Sequence, residues 1–314
     1  MDKAEATKML WEFYGPEEKG SFFPAYIYLK YIDYFMEDIQ RALGSKVKPN
    51  PRGELDPTVK EFLGAYRNII GQGGGSRETN TYHGKVVKVN EAVQFASQKT
   101  DLNLPVSETI VPYKLARDVI IKNPESIALG SCVCRAVGEH SCLPAPMDVC
   151  LFIGDPFATF MIEHNPLFRR VSRDEAVNVI EESHKKGFVQ SAWFKAEMRN
   201  RFTSICNCCS CCCMGIKAFH LLGMGDKSPF LAPSGHLAHI DEDCTGCGEC
   251  VDACHFKALS LDEEKGMATV KIQNCMGCGV CEDLCPAGAI TLKPEPSKCE
   301  PLNIEMLVRE LELQ

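Results

Sequence analysis

Eight cysteines toward the C-terminal end fall into two runs of identical spacing. Cys244, Cys247, Cys250 and Cys254 follow C-x2-C-x2-C-x3-C, and Cys275, Cys278, Cys281 and Cys285 repeat it 31 residues later. Gly246 and Gly248 recur as Gly277 and Gly279, Asp252 as Asp283, and Ala258-Leu259 as Ala289-Ile290. Thiols and spacers kept in register make this an internal repeat. A C-x2-C-x2-C turn delivers three sulfurs to one side of one centre, so this stretch must fold around whatever its thiols hold.

A cubane [4Fe–4S] cluster takes one thiolate per iron, and the fourth must arrive from elsewhere in the chain. Zinc also accepts four thiolates, but its motifs usually present two separated C-x2-C pairs. Residues 237–293 resemble the bacterial-type dicluster ferredoxins, and Cys285-Pro286 matches their closing C-P. In that pattern the last cysteine of each run ligates the other cluster. The resemblance implies Cys244, Cys247, Cys250 and Cys285 at cluster one, with Cys275, Cys278, Cys281 and Cys254 at cluster two. His255 departs from it, standing where many members carry proline, but it removes no ligand. HLAHI, ALSLDEE with MATVKI, and AITLKPE read as the short strands that flank such clusters. The glycines let the backbone wrap closely and aim N–H groups at the sulfurs.

The full chain holds 19 cysteines in 314 residues. That odd count, behind a charged N-terminus where a secretory signal would be apolar, points to metal rather than disulfides. Ten lie upstream of the repeat: Cys132, Cys134, Cys142 and Cys150, then Cys206, Cys208, Cys209, Cys211, Cys212 and Cys213 in CNCCSCCC. Three chemistries suit them. They hold one or two further iron–sulfur clusters; they form a catalytic cluster with an open iron or an exchanging dithiol; or four hold a structural zinc. Neighbouring side chains on an extended strand face opposite ways, so Cys208/Cys209 and Cys211/Cys212 are expected to serve two clusters, or one cluster and one structural contact. Arg135 beside Cys134 lowers a thiol pKa, holds an anionic substrate or makes a plain salt bridge. Cys299 reads as a lone thiol, and His140, His164, His220, His236 and His239 as structural histidines. SIALGSCVCRAVGEHSCLPAPMDVC, SICNCCSCCC and the terminal repeat together resemble a loosely characterised group of anaerobe iron–sulfur proteins with a Cys-rich N-terminal domain. That resemblance implies redox work without supplying a substrate.

The formal net charge of −8 argues against a nucleic-acid surface, and no uncharged run is long enough to span a bilayer. Helices are expected over residues 4–13, 25–43, 57–70, 113–122 and 172–186, the last opening on the capping box SRDE, and short strands over 85–89 and 126–129. GQGGGSRETN from Gly71 lacks the G-x-G-x-x-G register and reads as a flexible loop. The expected fold class is α+β. A mainly helical domain over residues 1–222, with its metal site in 132–150 and 206–213, precedes a linker over 223–236. A 2[4Fe–4S] ferredoxin domain over 237–293 and a tail helix in 294–314, packing back on the body, complete the chain. The expected function is one-electron transfer to or from a redox partner protein or oxidoreductase complex in the cytoplasm, without nucleic acid or membrane span. A reductase fed by the ferredoxin domain and a redox-sensing regulator are the alternatives.

Overall fold

The computed structural model describes residues 1–16, 19–71, 82–113, 118–139, 147–195 and 198–312. Four helices open the chain: α1 (Lys3–Tyr14), α2 (Lys19–Lys30), α3 (Ile32–Ala42) and α4 (Pro57–Gly71). Asp2 and Glu5 cap α1 reciprocally, satisfying N–H groups that the first turn leaves unpaired. The single helix expected over 25–43 is interrupted at Tyr31, whose backbone leaves the helical region (φ −122°, ψ 25°). No glycine or proline marks that break. The glycine-rich loop expected from Gly71 lies outside the described residues, apart from Gly71 itself.

An eight-stranded sheet follows. Its strands are β1 (Tyr82–Val86), β2 (Leu102–Pro105), β3 (Asp118–Ser131), β4 (Asp148–Asp155), β5 (Phe168–Arg170), β6 (Val189–Lys195), β7 (Arg201–Cys208) and β8 (Leu231–Ala232). They run in the order β2-β3-β4-β7-β6-β1-β8, with β5 on β3. Interleaved are α5 (Val89–Ala96), α6 (Val133–Val137), α7 (Phe157–His164), α8 (Arg173–Lys185) and α9 (Met214–Leu222). The α+β class holds, but the N-terminal part, expected to be mainly helical, is organised by this sheet. Its strands carry little signal because a strand covered on both faces reads as an apolar run; β4, DVCLFIGD, is buried over six consecutive residues. The helix expected over 113–122 is likewise corrected: from Asp118 the chain is β3, with Val119 and Ile121 buried at period two.

Helices cover both faces. On one, Leu151, Ile153, Ala192, Phe194 and Ile205 pack with Phe95 of α5 and with Ala176 and Ile180 of α8. On the other, Cys150 and Phe152 meet Leu10, Leu29, Met36 and Phe160 from α1, α2, α3 and α7. The alternation of β4 and β7 therefore puts Cys150, Cys206 and Cys208 on the second face, with Cys150 and Cys206 directly opposed in register. Ser172 caps α8, accepting from the Glu175 N–H at 3.2 Å.

The C-terminal part contains β9 (His236–Ile240), α10 (Glu249–Ala253), β10 (Leu259–Asp262), β11 (Met267–Val270), α11 (Val280–Asp283) and β12 (Ile290–Pro294). Each half runs strand, cysteine loop, short helix, strand. The halves pair crosswise: β9 lies antiparallel to β12, and β10 to β11. The final helix, α12 (Ile304–Glu312), sets Ile304 and Leu307 into the core beside α5. Among the described residues no helix is long and apolar enough to cross a membrane.

Candidate metal centres

Eight of the ten upstream thiols line one cavity of about 50 Å³: Cys132, Cys134, Cys150, Cys206, Cys208, Cys209, Cys212 and Cys213. Four elements deliver them. Cys132 is the N-cap of α6 and Cys134 lies within it; Cys150 comes from β4; Cys206 and Cys208 end β7. The strand stops at Cys208, so the expected alternation through Cys212 does not extend beyond it. Instead residues 209–213 turn, with the Cys213 N–H donating to the Cys209 carbonyl at 3.1 Å, and Cys213 becomes the N-cap of α9. The turn gathers Cys209, Cys211 and Cys212, whose sulfurs all lie within 4.8 Å of one another; Cys209 Sγ is 3.0 Å from Cys212 and 3.3 Å from Cys211. Cys142 and His140 lie outside the described residues.

This crowding sets the electrostatics. A hydrogen bond from Cys134 brings the Cys132 thiol down to about 7 against the cost of burial, with the Arg135 charge assisting. Hydrogen bonds from neighbouring thiols and burial push Cys134, Cys206, Cys208 and Cys213 well up, and Cys209 and Cys211 do the same to Cys212. So many thiols cannot all ionise together unless a cation replaces the protons. Arg135 is 2% exposed, lies over the Phe188 ring at 4.2 Å and directs Nη2 toward Cys209 Sγ at 3.6 Å. It is part of the thiol site rather than a surface ion pair.

Gln40 carries no signal in the sequence, yet it ties the two cysteine segments together. Fully buried on α3, it donates Nε2 to the carbonyls of Cys212 (2.7 Å) and Cys134 (3.2 Å), and its Oε1 accepts from Lys217 at 2.6 Å. Only the fold, bringing residues 40, 134 and 212 together, gives it a role.

In the C-terminal part, Cys244, Cys247, Cys250 and Cys285 line one small cavity. Burial raises the Cys250 thiol, and the charges of Cys244 and Cys247 add to it. Cys254 faces Cys275, Cys278 and Cys281 instead: burial pushes Cys278 up to about 12 and Cys281 further, with this neighbourhood contributing. Backbone N–H groups point at sulfur, from Ala268 to Cys244 at 3.4 Å and from Ala258 to Cys254 at 3.3 Å. Each group of thiols draws on both repeats, and four thiols are the number that an iron–sulfur cubane takes. Residues 243–289 match the 4Fe-4S dicluster domain family. The C-terminal part is a 4Fe-4S dicluster domain. No curated protein matches the chain.

The dicluster domain packs against the upstream thiols. Cys208 and Cys213 share a buried apolar cluster with Trp193, Phe256 and Val280, and Cys254 and Cys278 pack on it. His255, immediately after Cys254, reaches across the junction. Its Nδ1 accepts from the Ser210 N–H at 3.3 Å, so Nε2 carries the proton and donates to the Gly187 carbonyl at 2.8 Å. Ser210 sits between Cys209 and Cys211. His220 Nε2 lies 2.8 Å from the His255 carbonyl, and His184 Nε2 lies 2.7 Å from Asp283 Oδ2. His220 and His255 thus brace the dicluster domain against the upstream thiols, while His164 contacts Thr7, and His236 and His239 lie on β9.

Proposed function

We propose that this protein is an iron–sulfur electron carrier with three thiol centres. In this reading Cys244, Cys247, Cys250 and Cys285 hold one [4Fe–4S] cluster, and Cys254, Cys275, Cys278 and Cys281 hold another. Thiols of the upstream cavity hold at least one more. The observation that carries the reading is the shared apolar wall that joins Cys208 and Cys213 to Cys254 and Cys278. Once bound, such clusters exchange single electrons, at potentials of roughly −700 to +450 mV set by their surroundings.

The chain's own work is to hold the thiolates, exclude water and fix the spacing between centres. Cys132 is poised to lose its proton near neutrality, and Arg135 balances negative charge that accumulates beside Cys209. Cys247 is exposed, and so are Asp241, Glu242, Asp243 and Glu249, which lie within six residues of it in the chain. That acidic stretch suits a redox partner protein with a basic face approaching from this side.

Iron, sulfide and zinc per chain, measured on anaerobically purified protein with EPR after reduction, test the reading. More than about eight irons supports an additional cluster. About eight irons with no zinc removes it, and one zinc beside about eight irons makes the upstream thiols scaffold.

A second reading, a reductase fed by the dicluster domain, is favoured by the cavity's far wall. Tyr28, Ile32, Met36 and Phe152 line it, and Lys195 lies over the Tyr28 ring at 3.9 Å, so the thiols share the cavity with apolar side chains and with the cations of Lys195 and Arg135. Perturbation of the reduced protein's EPR signal by cyanide or carbon monoxide would favour it, because a pure carrier leaves no iron open.

A further inference from the structure

Among the described cysteines, Cys299 alone stands outside both thiol groups, and it is not solitary. Its Sγ lies 3.1 Å from Lys85 Nζ and 3.2 Å from the Pro233 carbonyl oxygen, to which Lys85 Nζ also donates at 2.9 Å. Lys85 is on β1 and is fully buried. Burial lowers its pKa against the pull of Cys299, Glu91 and Glu300, which raises the share of neutral, nucleophilic amine. Cys299 is half-buried, so small oxidants reach it.

The backbone fixes the pair. Cys299 holds a φ of +132°, a conformation that side-chain-bearing residues rarely adopt. The following N–H, of Glu300, donates to the Thr109 carbonyl at 2.8 Å. A Cβ on Gly235 would stand 2.7 Å from the Cys299 carbonyl oxygen, so the two segments are pressed together. Three stretches of chain meet at this point: β1 of the sheet, the segment entering the dicluster domain and the segment leaving it.

We propose that Lys85 and Cys299 form an oxidative cross-link, in which dioxygen places one oxygen atom between Nζ and Sγ. The S–H bond and one N–H bond break; an S–O bond and an N–O bond form. The thiol sulfur and the amine nitrogen each give up two electrons. Dioxygen takes all four, one of its atoms entering the bridge and the other leaving as water with the two released protons. The product covalently staples the exit of the dicluster domain to the sheet that carries the upstream thiols. Thiol reductants reverse it, since the S–O bond lies at the sulfenic level of oxidation.

The test compares full-length protein purified without oxygen and then exposed to air, by peptide mass spectrometry. The expected result is a linked pair of peptides, one holding Lys85 and the other Cys299, whose mass is their sum plus one oxygen less two hydrogens. The pair should disappear after dithiothreitol and be absent from Cys299→Ser, which keeps a hydrogen-bonding group at the site. On non-reducing gels the air-exposed wild type should run faster than Cys299→Ser, because an internal cross-link compacts the denatured chain. Cys299 recovered as a free thiol after exposure overturns the proposal. Cys299 recovered as a sulfinic or sulfonic acid with Lys85 unmodified overturns it equally, as does a linked pair without added oxygen.

Discussion

Gly277 lies between Cys275 and Cys278 with a φ of +64°, and a Cβ there would overlap the His236 carbonyl oxygen and Ser234 Oγ. Gly288 holds nearly the same angle, +65°, and a methyl group there would meet nothing within 4 Å. The two sites therefore separate conformational strain from steric exclusion. Gly288→Ala carries only the cost of a left-handed backbone, about 1–2 kcal/mol. Gly277→Ala carries that cost and adds overpacking against β9, which β12 holds in register and which cannot retreat; the addition is about 1–3 kcal/mol. The assay is the rate of iron release into a chelator, taken relative to the unsubstituted protein. At about tenfold per 1.4 kcal/mol, Gly288→Ala should accelerate release by up to about thirtyfold, and Gly277→Ala should be a further ~5- to 140-fold faster. Equal rates for the two variants would refute the argument that close backbone approach, rather than φ alone, requires glycine inside the cysteine loops.

Three further outcomes follow from other sites. Burial raises the Glu91 carboxyl to about 7 in the folded protein, so the folded state binds its proton more tightly than the unfolded chain; stability should fall as pH rises from about 4.5 to about 7, and Glu91→Gln should flatten that slope in melting midpoints taken from pH 5 to 8. Cys278→Ala should lower iron in the dicluster domain and leave upstream metal in place, and Cys209→Ala should do the converse; an unchanged iron content and EPR spectrum in the second variant would show that Cys209 is no ligand. His255→Phe removes the acceptor of the Ser210 N–H and the donor to Gly187, so Ser210 amide exchange should quicken by about tenfold for a lost bond near 1.4 kcal/mol, with unchanged exchange counting against the brace.

The dicluster domain is legible in the sequence because its information is local. Ligand spacing, loop glycines and flanking strands recur at a fixed offset, and no distant residue is needed to recognise them. The upstream site is legible only as an inventory of cysteines. Their meeting depends on the register of β4 with β7 and on a turn at Cys209 that alternation along a strand does not foresee. Gln40 shows the limit most clearly, since a glutamine on an amphipathic helix has no feature that connects it to residues 134 and 212. The sheet is under-represented in the sequence pattern for a related reason. Strands such as β4 are covered on both faces and lose the polar alternation by which a half-exposed strand is recognised. The break at Tyr31 is not legible in the sequence, because no glycine or proline stands there.

The crosswise pairing of the two repeats bears on how the chain comes into being. As synthesis proceeds, β9 is made with its hydrogen-bonding edge and the side chains of Leu237 and Ala238 lacking their eventual neighbour, because β12 is encoded some fifty residues later. Neither repeat is then a unit that a ribosome can deliver finished. The first must remain open until the second has emerged, and the metal-binding region closes only once both repeats have been made.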